Sequence, residues 1–255
     1  MRRRRTAVVV HVDQAPILAE NATRDPLWDL AVPCVIGHYH ARSGTHQPKV
    51  EAHLLWDDDA LYCRWQVSDL REEMVGRYTQ PNDPVYTDSC VEIFIGSKIS
   101  SSAYMNIEVN CLGAILLQTN LEPRGGPGSD AAQWNHRIER WTSLMGSPDS
   151  VLARSPPGAF AWSASVRIPF ALIDELLEQR VAAAEGGRAI PAMHGRANTL
   201  PAGLFKCADD APRPHWGSWA DIGDELNFHQ PSKFGTLVFA RARHPRAAKK
   251  RARAS

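Results

Sequence analysis

The chain has 255 residues, 44% of them apolar and 22% charged, the balance of a soluble globular protein with room for one large all-β domain or two small ones. Lys and Arg number 29 against 28 Asp and Glu, a net charge of +1, which excludes a general electrostatic pull toward nucleic acid or a membrane surface. The five cysteines (Cys34, Cys63, Cys90, Cys111 and Cys207) are scattered without CxxC or CxxH spacing, so they read as buried free thiols of a reducing compartment rather than as zinc ligands.

In chain order, Arg2 to Arg5 form a basic head and Arg241 to Arg253 a basic tail, both expected as solvated ends. Thr6 to Val12 reads as a strand led by Val8 and Val10. Its apolar run is too short for a secretory h-region, and no stretch is long enough to span a membrane. The expectation is therefore a cytoplasmic protein, or an extracellular one if the true start lies upstream. Ala15 to Pro33 is an irregular lead-in that packs Trp28. Val50, Ala52, Leu54 and Trp56 alternate with polar neighbours, as do Leu61, Cys63, Trp65 and Val67. With Asp57, Asp58 and Asp59 between them, the two runs form a hairpin with an acidic turn. The triplet lacks the spacing and closing Glu of an EF-hand calcium loop, so it reads as a turn.

Asn82 to Ile95, NDPVYTDSCVEIFI, is an acidic, aromatic loop feeding a strand. Val91, Ile93 and Ile95 make a core stripe, while Cys90, Glu92 and Phe94 face the other way. A carboxylate between two residues that prefer burial must be paired, solvated or used. Tyr104 to Cys111 alternates again: Met105, Ile107, Val109 and Cys111 form an apolar face opposite Tyr104, Asn106, Glu108 and Asn110. Four hydrogen-bonding tips in a row suit either a polyhydroxylated ligand or a solvated sheet face.

Ala114 to Leu117 continues as strand. Thr119 to Gln133, with Gly125, Gly126, Pro127 and Gly128, reads as a mobile loop. Asn135 to Leu144 fits a strand or a short helix, and Ser147 to Gly158 a proline-rich link. Trp162, Ala164, Val166 and Ile168 give a further strand, and Ala171 to Ala184 carries Leu172, Ile173, Leu176, Leu177 and Val181 at helical spacing. Arg188 to Leu200 reads as an insertion. Leu204 to Cys207 is a short strand, HWGSW (His215 to Trp219) sets two rings close together, and Gly235 to Arg241 is a last strand. Many short strands at turn spacing with one helix imply an all-β, antiparallel β-sandwich of jelly-roll or immunoglobulin-like type. The expected division is a basic segment and first strand over 1–14, one sandwich domain over 15–240 and a disordered tail over 241–255.

WDDDALYCRWQVSD, DPVYTDSCVEIFI, YMNIEVNCLGAILL, WSASVRIPF and NFHQPSKFGTLVF occur in this order. Together, over roughly residues 48–240, they resemble the family 9 carbohydrate-binding modules within the DOMON-like sandwich superfamily. That resemblance implies a non-catalytic β-sandwich that holds plant-cell-wall sugars, glucan or xylan, between two aromatic rings, often at the reducing end. By position the rings fall on Tyr86 and Phe228, where the family usually has Trp. The sugar-gripping Glu falls on Glu92, and the polar strand face on Asn106, Glu108 and Asn110, with Glu108 at a place where the family carries Arg. The family's Ile-Asp-Gly opening, which helps form a structural calcium site, is missing, so no cofactor is expected beyond that one candidate ion. The implied partner is an oligosaccharide or polysaccharide bound by a monomer, with no specific nucleic acid and no membrane span.

Two other readings stand beside it. Glu92 and Glu108 could face each other on neighbouring strands, the arrangement glycoside hydrolysis uses, although nothing in the sequence marks either for a raised pKa. Haem or metal binding, as in some DOMON-like relatives, would draw on His53, His215, His229 and Met105.

Overall fold

The computed structural model describes residues 4–19, 25–122, 129–145, 152, 154–184, 186–187 and 199–241. The glycine-rich segment, half of the proline-rich link, the insertion up to residue 198 and the basic tail beyond 241 lie outside the described residues.

Among the described residues, fourteen strands form one continuous sheet that curls on itself into a sandwich. In chain order they are β1 (Thr6–His11), β2 (Cys34–Ile36), β3 (His38–Tyr39), β4 (Lys49–Trp56), β5 (Ala60–Leu70), β6 (Cys90–Gly96), β7 (Tyr104–Asn110), β8 (Ile115–Asn120), β9 (Ser129–Asp130), β10 (Glu139–Thr142), β11 (Ala159–Pro169), β12 (Thr199–Ala208), β13 (His215–Ser218) and β14 (Gly235–Ala240). The path runs β10-β11-β5-β4-β1-β14-β12-β6-β7-β8-β9. The first strand is the turning point: β1 pairs parallel with both β14 and β4. The antiparallel expectation therefore holds everywhere except at this bridge. A register through Val8↔Val238 and Val10↔Leu55 places Val9 in the core.

The predicted hairpin forms as β4 and β5, paired from Lys49↔Ser68 to Trp56↔Leu61. Asp57 closes its turn, accepting from the amides of Asp59 and Ala60 through Oδ1 and from the Tyr62 hydroxyl through Oδ2. Asp58 sits against His11 and Arg241. These carboxylates are thus taken up by turn amides, a tyrosine hydroxyl, an imidazole and a guanidinium. The stretch 135–144 is both things the sequence allowed, a 3-10 turn (Ala132–Arg137) followed by β10. The short strand expected at 204–207 is the middle of the longer β12.

The main core lies between the two layers. Val50, Leu54, Trp65, Val67, Trp162 and Val166 on one side meet Val91, Ile93, Ile95, Ile107, Val109 and Leu204 on the other. Helix α1, residues 170–184, closes one end with Leu172, Ile173, Leu176, Leu177 and Val181 in that core. It is α-helical over Phe170–Ile173 and Gln179–Ala184, with a π-helical turn at Asp174–Glu178 between them. Glu178 in this turn accepts from Ser97 Oγ and Lys98 N, each at 2.8 Å. It thereby ties the helix to the β6–β7 loop. Glu178→Ala leaves those buried donors without a partner, so unfolding in urea should show a loss of about 1–3 kcal/mol; a change under about 0.5 kcal/mol would mean that the tie contributes nothing.

The layer β12-β6-β7-β8 is buried on both faces. Its inner face carries the core stripe. Its outer face carries Cys90, Phe94, Tyr104, Leu116, Phe205 and Cys207, covered by Val85, Ile222, Phe228 and Phe234 from surrounding loops. This second burial explains why β6 is buried at all seven of its positions.

Candidate functional site

Glu92 lies on the outer face of that layer with Glu108 directly across from it in the β6–β7 register. Opposed residues on an antiparallel pair hold their Cβ atoms about 4.5–5.5 Å apart, so the two carboxyls stand side by side on one wall. Both line a cavity of about 550 Å³ with Arg42, Tyr86, Leu116, Gln118, Cys207, Asp209, Trp216, Leu226, Asn227, Phe228 and His229. That volume is within the range of small-ligand sites. Glu92 is 2% exposed, so it is not the solvated outer Glu that a sequence alone allows. Its Oε1 accepts the Cys207 thiol at 2.7 Å. Glu108 Oε1 accepts from Asn106 Nδ2 at 2.8 Å. The second oxygen of each carboxyl is buried without a hydrogen-bond partner.

Burial is the first cause of the electrostatics here. It pushes the Glu92 carboxyl well above the usual range, and the nearby Cys207 and Glu108 add to the effect. Glu108 is raised to about 7, again by burial, with the Asn106 hydrogen bond opposing it. The device that the sequence did not reveal is simply the cover over the outer sheet face.

The rings are placed by the loops. Tyr86 is 40% exposed on the short 3-10 turn Val85–Thr87. Asn82, in the left-handed region at φ 59°, pins the preceding turn to β8 by exchanging hydrogen bonds with Leu117 N and O. Asp88 fixes the other end of the turn, accepting from the Arg77 and Tyr78 amides, Arg77 Nε and Asn110 Nδ2. Phe228 is 9% exposed and stacks on Phe205 with centroids 4.2 Å apart and planes 13° apart. Gly203 permits this, since a Cβ there would lie 2.4 Å from the Phe205 ring. One face of Phe228 is therefore covered.

The expected polar strand face divides. Glu108 reaches the cavity. Asn106 is fully buried, accepts from Asn120 and orients Glu108. Asn110 is held inside the fold: Nδ2 donates to Tyr78 O and Asp88, and Oδ1 accepts from Leu112 N and Ala114 N. Sequence reasoning missed Trp216 and Asp209, which are joined by a 2.6 Å hydrogen bond from Trp216 Nε1 to Asp209 Oδ1. HWGSW marks a ring pair in the sequence, but only β13 pairing with β12 puts Trp216 opposite Cys207 on the cavity face. Trp219 goes to the main core.

The haem-type set is not brought together. Met105 packs in the main core, and His229 bonds Tyr104 Oη at 2.7 Å beside the cavity. His53 lies on β4 opposite Arg64. His215 is buried against Lys206, whose ammonium donates to His215 Nε2 at 2.8 Å and to Cys207 O at 2.7 Å. A wider groove of about 1360 Å³, lined by Arg4, Arg5, His38, Asp221, Asp224 and Lys233 among others, brings both signs of charge to an open rim and includes none of the cleft residues.

A profile described as carbohydrate-binding family 9 matches residues 31–239. The chain belongs to carbohydrate-binding family 9. Solved structures agree on the fold. A Bacteroides uniformis ATCC 8492 crystal structure with a provisional carbohydrate-binding description superposes with a TM-score of 0.73 at 21% identity, over 93% of this chain and 100% of its own. A family 9 carbohydrate-binding module from Caldicellulosiruptor kristjanssonii, solved with cellotriose, gives 0.57 at 18% identity over 95% and 97%. A structure of a family 9 module from the same organism with glucose gives 0.55 at 17% over 92% and 96%. No curated protein matches the chain. As a family 9 domain the chain is a sugar-binding β-sandwich. No helix among the described residues is long and apolar enough to cross a membrane.

Proposed function

We propose that the cleft binds the end of a β-glucan or xylan oligosaccharide and that the domain binds without cleaving. The observation that carries this is the pair Glu92 and Glu108, each with a free buried oxygen, at the base of a cavity that also holds Tyr86, Trp216 and Phe228. Sugar rings offer apolar C–H faces to aromatic planes and hydroxyl rims to carboxyls and amides. Tyr86 and Trp216 supply the platforms, Phe228 a wall, and Asp209, Gln118 and Asn227 further polar tips. The cellotriose and glucose bound in the two Caldicellulosiruptor structures support a glucan-type ligand. Rings worth about 0.5–1.5 kcal/mol each beyond area, with a few hydrogen bonds, correspond to a Kd of roughly micromolar to millimolar.

Retaining and inverting hydrolases place their two carboxyls on either side of the scissile bond. Here both stand on one wall, opposed in one strand pair, which favours gripping hydroxyls over cleavage. Fluorescence titration with cello- and xylo-oligosaccharides tests the reading. Tyr86→Ala and Trp216→Ala should each weaken binding about tenfold. Glu92→Gln should weaken it as well, and no oligosaccharide should shorten on long incubation. Release of shorter sugars by the parent but not by Glu92→Gln would make the protein a hydrolase instead.

A further inference from the structure

The geometry points to a thiolate–carboxylate site for a borderline-soft divalent cation of the Zn2+ type, formed by Cys90, Cys207 and Glu92 at the base of the cleft. Cys90 and Cys207 are direct cross-strand partners in the β6–β12 register. Glu92 is two residues along β6 on the same face, beside Phe205 of β12. The Sγ atoms of the two cysteines and a Glu92 oxygen all lie within 4.8 Å of one another, the spread that a tetrahedral ion with bonds of about 2.0–2.3 Å bridges with little movement. A second, independent feature marks the same spot. Glu92 Oε2 and Glu108 Oε2 are buried there with no hydrogen-bond partner. The unpartnered Glu92 oxygen beside the two thiols leaves a donor atom open to a cation.

The donors also fit the ion. Two thiolates and one carboxylate suit Zn2+ better than calcium or magnesium, which take oxygen ligands. A water completes four-coordination. Binding releases both thiol protons, and the Glu92 proton where that carboxyl is protonated, to solvent as the metal bonds form, with no change in oxidation state. The other buried trio, His46, Asp69 and His215, differs, because the Lys206 ammonium already donates to His215 Nε2. Sequence spacing argued against zinc since the two cysteines are 117 positions apart; the sheet register makes them neighbours. Glu92 is shared with the proposed sugar grip, so metal and oligosaccharide act on one another, yet the metal site stands or falls by itself.

The test is Zn2+ and Co2+ binding to chelator-treated, reduced protein, followed by metal analysis after dialysis and by absorption. The expected result is one ion per chain, with Co2+ giving tetrahedral visible bands and thiolate-to-metal charge transfer in the near ultraviolet. Cys90→Ser and Cys207→Ser should each lose more than tenfold in affinity, and Cys34→Ser and His46→Gln should leave it unchanged. No bound ion, a cobalt spectrum without thiolate charge transfer, or full binding by the Cys90→Ser/Cys207→Ser double variant would overturn the proposal. The parent's cobalt spectrum counts thiolates directly, so it decides the matter even if a serine variant misfolds.

Discussion

Asp88→Ala should destabilise the protein by about 3–5 kcal/mol and abolish sugar binding along with that stability. Asp88 is fully buried and accepts from two backbone amides, the Arg77 guanidinium and the Asn110 amide. Removing it leaves those donors facing an apolar gap, and an uncompensated buried donor costs about 1–3 kcal/mol. The same hub joins the 77–88 loop to the β7–β8 turn, where Asn110 accepts from Leu112 and Ala114. Tyr86 rides on that loop. Urea unfolding measures the first effect and oligosaccharide titration the second. Asp88→Asn keeps the volume but turns an NH2 group toward N–H donors, so it should fall between parent and alanine. A loss below about 1 kcal/mol for the alanine variant would remove Asp88 from its place as the organiser of the cleft loop.

The second large effect is acid instability set by His215. Burial and the Lys206 ammonium hold its imidazole neutral, with the pKa lowered to about 2. Lys206 donates to Nε2, so the ring proton sits on Nδ1 and donates to Arg213 O at 3.0 Å. His46, itself paired with Asp69 at 2.8 Å, packs its ring edge-on to His215. The unfolded chain takes up a proton on this imidazole below about 6.5, while the native state refuses it. Stability from this group is therefore complete above pH 6.5 and is lost as pH falls toward 2, at about 1.4 kcal/mol per pH unit. Between pH 6.5 and 4.5 the parent should lose about 2 kcal/mol more than His215→Gln, which keeps an acceptor for Lys206 but does not titrate. Parallel pH profiles for the two proteins would show that the imidazole is not held neutral.

Much of the frame is legible in the chain because it rests on period-two alternation. Lys49 to Trp56, Leu61 to Val67 and Trp162 to Ile168 each show one apolar face, and each is a strand with that face turned to the core. Alternation tells which residues share a face but not whether that face is wet. Cys90, Glu92 and Phe94 looked half-polar, and only the loops carrying Val85, Phe228 and Phe234 make that face a second core. For the same reason Asn106, Glu108 and Asn110 read as one polar row. Their fates diverge with depth: Asn110 is saturated inside a turn, while Glu108 keeps a free oxygen at the cavity. Trp216 and the Cys90–Cys207 pair depend on β12, β13 and β6 meeting across long sequence separations. No local pattern encodes that meeting.

The central claim is that this cleft grips the end of a plant-cell-wall-type oligosaccharide. A calorimetric titration of the parent protein with cellotriose, run beside its reduced alditol, tests it most directly. The account predicts one site per chain with a Kd of roughly micromolar to millimolar for cellotriose, and a loss of about tenfold or more when the terminal ring is opened by reduction. No heat with cellotriose or xylo-oligosaccharides, or equal affinity for sugar and alditol together with unchanged binding in Tyr86→Ala, would contradict it.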